Sequence, residues 1–553
     1  MLKNLPGRSF VVRDPVHGYL AIAPHERLVI DSPITQRLRR IGQTGLAELV
    51  FPEAKTSRFV HSLGAMHLAS RFLIASLENA STEDVKSFFD DVRSRINWTT
   101  LRMEEVDELL RHTGTLDAFA SIRSASFIDP TSDRGRDDRR LLALIEGALR
   151  LAALFHDLGH LPFSHDTEYA LQEFASEREA VSKPLPSSTK AIANAKAPHE
   201  EIGHELAHLV FSLLSESNTA VRHVYALAKD ILDAPEPDYT LTTHQPASGL
   251  QWLHSLVDGE IDVDRADYLL RDGQALGLDF AQYDLDRLVA NLVLISTPNR
   301  GFTTVIREPG LAALESFCLT RSRSNQVFVR HHKVAQVGSA LRYASKELMN
   351  NDRLATPLLE FLARLKELHN ASDETRRNVL AQYAVLDDTW AFQALRALQK
   401  STNEPLLSAC LGVTLDRARS LRSIWKRKGD LTADQFKRLR SLFEEFLSPK
   451  TGTLRLQQAR RRLLDHKVLL TVLRFRPYAE TRKTRRKAES VMLIRSSDLQ
   501  LRPASTISPL IRHLKDLWNE DIPIYAFAEV ENLITTDEVL SLMDADQPNS
   551  SKE

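Results

Sequence analysis

The chain is 553 residues long with a formal net charge of −1, which excludes bulk electrostatic attraction to nucleic acid or anionic membrane and leaves only a local patch able to supply it. Its two cysteines, Cys318 and Cys410, form no CxxC pair; they argue against a disulfide-stapled scaffold and for reduced thiols, and the length suffices for two or more structural units. The N-terminal segment MLKNLPGRSF carries no apolar signal region, so a cytoplasmic location is expected.

Taken in chain order, the first polar group inside an apolar segment is RFVHSLG, with Arg58 and His61. The following stretch, residues 78–114, reads as added helices, and SASFIDPTSDRGRDDRR reads as a loop rich in turn formers. LLALIEGALRLAALF is broken by Glu146 and Arg150, which makes it a core helix and not a membrane span. It leads into HDLGHLPFSHDTE, where a continued helix would set His156 and His160 on one face, one turn apart. His160 is then a candidate to stabilise a phosphate. His165 is followed three residues later by Glu168, a couple in which the carboxylate would orient the ring and raise its basicity. SKPLPSSTKAIANAKAP is a second expected loop.

His204 and His208 fit the HExxH pattern of zinc proteases, but no third-ligand motif accompanies them, and they read as helix surface and packing. EIDVDRADYLLRD, if helical, presents Asp264, Tyr268 and Asp272 along one stripe at i+4 steps. Further on, TVLRF and IPIYAFAEV are expected strands around a helix at SPLIRHLKDLWN, with VMLIR as a third strand, together forming a small α/β unit. Between Arg455 and Lys487 lie Arg460, Arg461, Arg462, Lys467, Arg474, Arg476, Arg482, Lys483, Arg485 and Arg486; this stretch reads as a solvated face, a nucleic-acid contact or a site for a regulatory triphosphate. Apolar spacing of three and four residues elsewhere makes the chain mainly α.

His61, the pair His156-Asp157, and Asp264 are imidazole and carboxylate donors of the kind that bind one divalent transition ion, Mn, Fe, Ni, Co or Zn, with Mg a further option beside substrate phosphates. Such an ion polarises a phosphoryl group and lowers the pKa of water, so phosphate-ester hydrolysis is the natural reaction class.

RFVHSLG, HDLGHLPFSH and IDVDRADYLLRD, within a match running from VVRDPVHGYLAI to VRHHKVAQ, resemble the HD-domain phosphohydrolases, specifically the branch containing deoxynucleoside triphosphate triphosphohydrolases. The resemblance implies an HD helical core over residues 1–345 with a helical insertion at about 80–140. A helical extension over 346–452 and a basic C-terminal α/β unit over 453–553 would follow it. It implies His61, His156, Asp157 and Asp264 as metal ligands, and His160, His165, Glu168 and His199 as catalytic. It sets Arg58 and Lys333 near substrate phosphates and Gln43, Tyr268 and Asp272 near the sugar. Two departures fall at the sugar: Thr44 replaces a commonly apolar neighbour, and Phe328, Val329 and Arg330 stand where a tyrosine is usual. Asp31, Gln36 and Arg39 match an activating-nucleotide site of some relatives, although Phe10 replaces the lysine that assists it. The implied activity is cleavage of a dNTP to deoxynucleoside and inorganic triphosphate by a homo-oligomer. Two alternatives stay open: an HD-type phosphodiesterase or nuclease guided by the basic stretch, and a nucleotide-binding regulator without turnover.

Overall fold

The computed structural model of the chain describes residues 10–544 apart from 114–125, 130, 184, 215–217, 236–245, 449–450, 474–480, 484–487, 491–492, 496–499 and 520–523. Helices dominate, as the spacing predicts. At the centre lie α1 (Arg58–Glu78) and α2 (Asp133–Phe155), both buried around most of their circumference. A helix apolar on all sides has to be enclosed by others. Here α1 and α2 pack on each other, the helix Thr219–Leu232 covers α2, and a later helix, Val263–Ala275, closes over α1. The two charges that interrupt the apolar run of α2 are enclosed as well. Arg150 donates to both oxygens of buried Glu26, at 2.5 and 2.9 Å, and Glu146 is 1% exposed beside it.

Two loop expectations and one helix expectation change. The DRGRDDRR segment is the first part of α2, with Ser132 capping Gly135 N–H and Arg140 paired with Asp107. The expected loop after residue 182 contains a short helix, Ser187–Asn194. The turn His156–Ser164, by contrast, is not helical. Helix is unavailable there because Pro162 lacks an N–H and disfavours helical backbone at Leu161, and Phe163 and Ser164 adopt left-handed φ of 60° and 57°. The chain re-enters helix as α3 (His165–Ala180). It continues through α4 (Pro198–Leu214), α5 (Val263–Ala275), α6 (Leu311–Ser324) and α7 (His332–Met349).

Strands are more numerous than the sequence suggests. An antiparallel hairpin pairs β1 (Phe10–Asp14) with β2 (Gly18–Ile22), and a second pairs β3 (Leu292–Thr297) with β4 (Gly301–Arg307). β5 (Leu421–Ser423) and β6 (Val468–Val472) flank β11 (Ile524–Glu529), so TVLRF and IPIYAFAEV supply neighbouring strands as expected. VMLIR does not join them: its described part, β9 (Leu493–Arg495), runs parallel to β4 and pairs with β10 (Leu501–Pro503). A short hairpin of β7 (Thr481–Lys483) and β8 (Ala488–Ser490) completes the strands among the described residues. The helix Pro509–Asn519 packs on α6, so the C-terminal chain is woven into the rest. The helices Asp373–Tyr383 and Asp388–Ser401 precede it and press on the turn after α2.

Four cations of the basic stretch bond inside the molecule. Arg460 pairs with Glu173 of α3, Arg455 with Glu445 and Lys467 with Glu404, while Arg462 donates to the carbonyls of Leu542 and Met543. Arg474, Arg476, Arg485, Arg486 and Lys487 lie outside the described residues. No described helix is long and apolar enough to cross a membrane, and Cys318 and Cys410 are buried free thiols.

Candidate active site

The three donor segments meet where the start of α1, the end of α2 and the start of α5 converge. His61 Nε2 stands 3.3 Å from His156 Nε2, 3.0 Å from Asp264 Oδ1 and 3.5 Å from Asp157 Oδ2. His156 Nε2 is 3.4 Å from Asp157 Oδ1 and 3.6 Å from Asp264 Oδ1. Each imidazole is held from behind: His61 Nδ1 donates to Asp267 Oδ2 at 2.8 Å, and His156 Nδ1 to the Ala153 carbonyl at 2.7 Å. Both Nε2 lone pairs therefore point inward beside two carboxylates, an acceptor-only cluster that only positive charge satisfies. Burial alone would lower His61, but its hydrogen bonds to Asp264 and Asp267 outweigh burial and raise it to about 10. The same negative potential suits a divalent cation, so the residues fit one.

A further layer, built on Asp267, fixes these donors. Asp267 also accepts from His17 Nε2 at 2.6 Å and from Arg271 Nε and Nη2 at 2.8 Å each, and Arg271 Nη1 reaches Asp14 at 2.7 Å. A Cβ built on Gly64 would overlap Asp267 Oδ1 and Arg271 Nη2, which is why RFVHSLG ends in glycine. Asp267 follows Asp264 by one helical turn, a spacing that could have marked it. Arg58 serves a ligand directly: it donates to Asp157 Oδ2 at 2.6 Å and to Ser164 Oγ at 2.8 Å. Burial would raise the Asp157 carboxyl, yet Arg58 and the neighbouring histidines hold it well below the usual range.

Glu168 is the hub of a second cluster. It accepts from His160 Nδ1 at 2.5 Å, from His199 Nδ1 at 2.8 Å and from His165 Nδ1 at 3.3 Å. The His160 and His199 rings stack at 4.0 Å and 10°. Their proximity depends on Gly159, where a Cβ would strike the His199 carbonyl and Gly203 N. His160 differs from the expected free phosphate donor, since both its nitrogens face carboxylates, Glu168 and, at 3.1 Å, Asp157. Burial, with the charges of Arg58 and His199, pulls it down to about 3. Burial also opposes charge on His199, but Glu168 raises it. His165, half exposed, is the member most open to a ligand. The turn carrying these groups is pinned by the later helices: Asp388 accepts from Phe163 N at 2.6 Å and Gly42 N at 2.9 Å, and Arg37 donates to the His160 carbonyl at 2.8 Å.

One cavity of about 610 Å³ joins these groups. His156, Asp157, Asp264, His160, His165 and His199 line it together with Gln43, Thr44, Arg58, Tyr268 and Asp272. Arg265, Arg321 and Asn325, which the sequence reading did not single out, line it too. Lys333 does not; its Nζ donates to Gln336 at 2.8 Å. Asp31, Gln36 and Arg39 lie off the cavity, Asp31 paired with Arg27 and Arg39 donating to Gln36 at 2.7 Å. Of the HExxH residues, His204 lines the cavity 3.5 Å from Asp233, while Glu205 and His208 both meet His369. Among the described residues no metal-binding group includes His204, Glu205 or His208.

A family model described as HD domain matches residues 140–272, spanning the HDLGH turn and α5. Over those residues the chain carries an HD domain. The chain is 24% identical over 401 residues to an uncharacterized protein of Methanocaldococcus jannaschii, covering 69% of this chain and 62% of that one. It is 26% identical over 292 residues to the deoxynucleoside triphosphate triphosphohydrolase SAMHD1 of Gallus gallus, covering 50% of this chain and 36% of the relative. The match thus spans less than two thirds of either relative's length. Its fold is similar to the crystal structure of a phosphohydrolase from Bacteroides thetaiotaomicron, with a TM-score of 0.56, 19% identity and coverage of 94% and 99%.

Proposed function

We propose that this HD protein hydrolyses deoxynucleoside triphosphates to a deoxynucleoside and inorganic triphosphate. The observation that carries the reading is the single cavity in which metal-type donors, three histidines and the Tyr268–Asp272 stripe share walls. Its cations, Arg58, Lys196, Arg265 and Arg321, suit a ligand with several phosphates. The activity for which the Gallus gallus relative is named points the same way. The nuclease alternative has less support, because four of the described cations it would use, Arg455, Arg460, Arg462 and Lys467, bond within the chain and lie off the cavity.

His61, His156, Asp157 and Asp264 would hold the divalent ion, which supplies Lewis-acid polarisation of a phosphoryl oxygen and lowers the pKa of water. In the reaction a water oxygen bonds to the α-phosphorus while the bond from phosphorus to the 5′ oxygen breaks. The 5′ oxygen takes up a proton and the attacking water gives one up, so the balance closes. His165 is the donor to that oxygen: Nδ1 is turned to Glu168, which leaves Nε2 for the cavity. A general acid so placed contributes roughly 10²–10⁴-fold. His199, whose pKa Glu168 raises against burial, faces the cavity and offsets phosphate charge, and Arg58 keeps Asp157 ionised. Tyr268 and Asp272 follow Asp264 at i+4 steps and meet the sugar.

The test is purification with metal analysis, then incubation with Mn, Mg, Fe, Co or Ni and each dNTP singly and in mixtures, with rNTPs and with single-stranded DNA. Release of inorganic triphosphate is expected. Pyrophosphate or phosphate as the product, shortened strands, or no turnover with any metal would overturn the reading.

A further inference from the structure

Helix α6 does not run straight into α7. Between them, Asn325–Val329 form a π-helix, and the Arg330 N–H donates to the Asn325 carbonyl at 2.9 Å across five residues. Wide turns of this kind are rare and gather at functional sites. Asn325, Phe328 and Val329 all line the cavity, and Phe328 packs with Leu276, four residues beyond Asp272. The Asn325 side chain is buried, at 5% exposed, and its Oδ1, shut off from the open cavity, has no hydrogen-bond partner among the described residues. An enclosed amide oxygen without a donor is disfavoured unless a ligand brings one.

We infer that Asn325 reads the nucleobase of the substrate, its amide turning on binding so that Oδ1 accepts from an exocyclic amine. The inference rests on the nucleotide reading above, because it takes the order of groups along α5 as the order of groups in the ligand. Asp264 stands at the metal donors, Tyr268 and Asp272 follow, and Leu276 comes last, at steps of about 6 Å. The far end of that stripe is walled by Phe328, Val329 and Leu276, a surface suited to a flat heterocycle, with Asn325 as the orienting polar group. A sugar hydroxyl has acceptors nearer the metal, in Asp272 and Gln43. Adenine, cytosine and guanine present an exocyclic amine, whereas thymine presents a carbonyl and a methyl group. The wide turn is what brings an amide and two apolar side chains to one wall within five residues.

The experiment compares the four dNTPs as substrates for the full chain and for Asn325→Ala, with melting curves to confirm folding. Asn325→Ala is expected to lose roughly tenfold in kcat/KM, through KM, for dATP, dCTP and dGTP, and to leave dTTP within about twofold. Asn325→Asp, which keeps an acceptor, is expected to retain the preference for amine-bearing bases. An equal loss on all four substrates, a loss confined to kcat, or no change would overturn the inference. If the wild-type protein turns over no dNTP, the reaction reading fails. The Asn325 inference is then judged by calorimetric binding of deoxycytidine and thymidine. Tighter deoxycytidine binding that Asn325→Ala abolishes supports it, and equal binding overturns it.

Discussion

At the metal-facing wall of the cavity, Asp267 spends both carboxylate oxygens on His17, His61 and Arg271, and the inward ring nitrogens are fixed by what holds their backs. At the wall formed by the wide turn after α6, the amide oxygen of Asn325 is buried and has no partner among the described residues. The first wall is preorganised for chemistry in the protein alone. The second, on the inference above, is completed by a ligand. On that reading the reacting groups are held rigid while selectivity is left to hydrogen bonds that form on binding, where one mismatched donor costs affinity.

The hardest blow to the metal-facing wall is Asp157→Ala, which removes a donor and orphans Arg58. Turnover is expected to vanish and bound metal, read by plasma mass spectrometry, to fall to background; a folded variant that keeps both would break the comparison. Next is Glu168→Gln, which weakens the hold on three histidines. Here kcat is expected to fall roughly 10²–10⁴-fold with metal content unchanged, so loss of metal would mean that the two clusters are not separate. Asp267→Asn is expected to weaken metal affinity about 10–100-fold, measured by competition with a chelator. A change in dNTP preference without a change in affinity would contradict its position behind His61.

The smallest effect on activity belongs to Glu146, enclosed in α2 away from the cavity. Burial, opposed by Ser70 and Arg150, raises its carboxyl from 4.5 to about 7. A raised carboxyl favours folding when protonated: its contribution is complete below pH 4.5 and is lost as the pH rises through 7. Glu146→Gln is therefore expected to gain about 3 kcal/mol of stability over wild type at pH 8 and nothing near pH 4. Denaturant titrations at the two pH values check it, and an equal shift at both would remove the titration as the cause.

The donor types of the metal wall were legible because they sit in three short segments whose chemistry is local. The stripe of Asp264, Tyr268 and Asp272 was legible because α5 is regular. The turn after α2 was not, since apolar residues continue through Leu158 and Leu161 while the contact of Gly159 with α4 comes from 40 residues away. β3 was missed because a fully buried apolar run such as LVLI does not distinguish strand from helix. Lys333 was expected at the phosphates from its motif, but its side chain turns to Gln336.

What the sequence by itself determined is the kind of chemistry: imidazoles and carboxylates in apolar settings must find partners, and their spacing names an HD core. Only the tertiary structure decided how they are used. Glu168 became the centre of three histidines, Asp267 the support of His61, and Asn325 an amide on a wide turn whose oxygen has no partner among the described residues. Each of these depends on backbone meeting backbone across long sequence separations, or on a hydrogen-bond register that residue types do not encode.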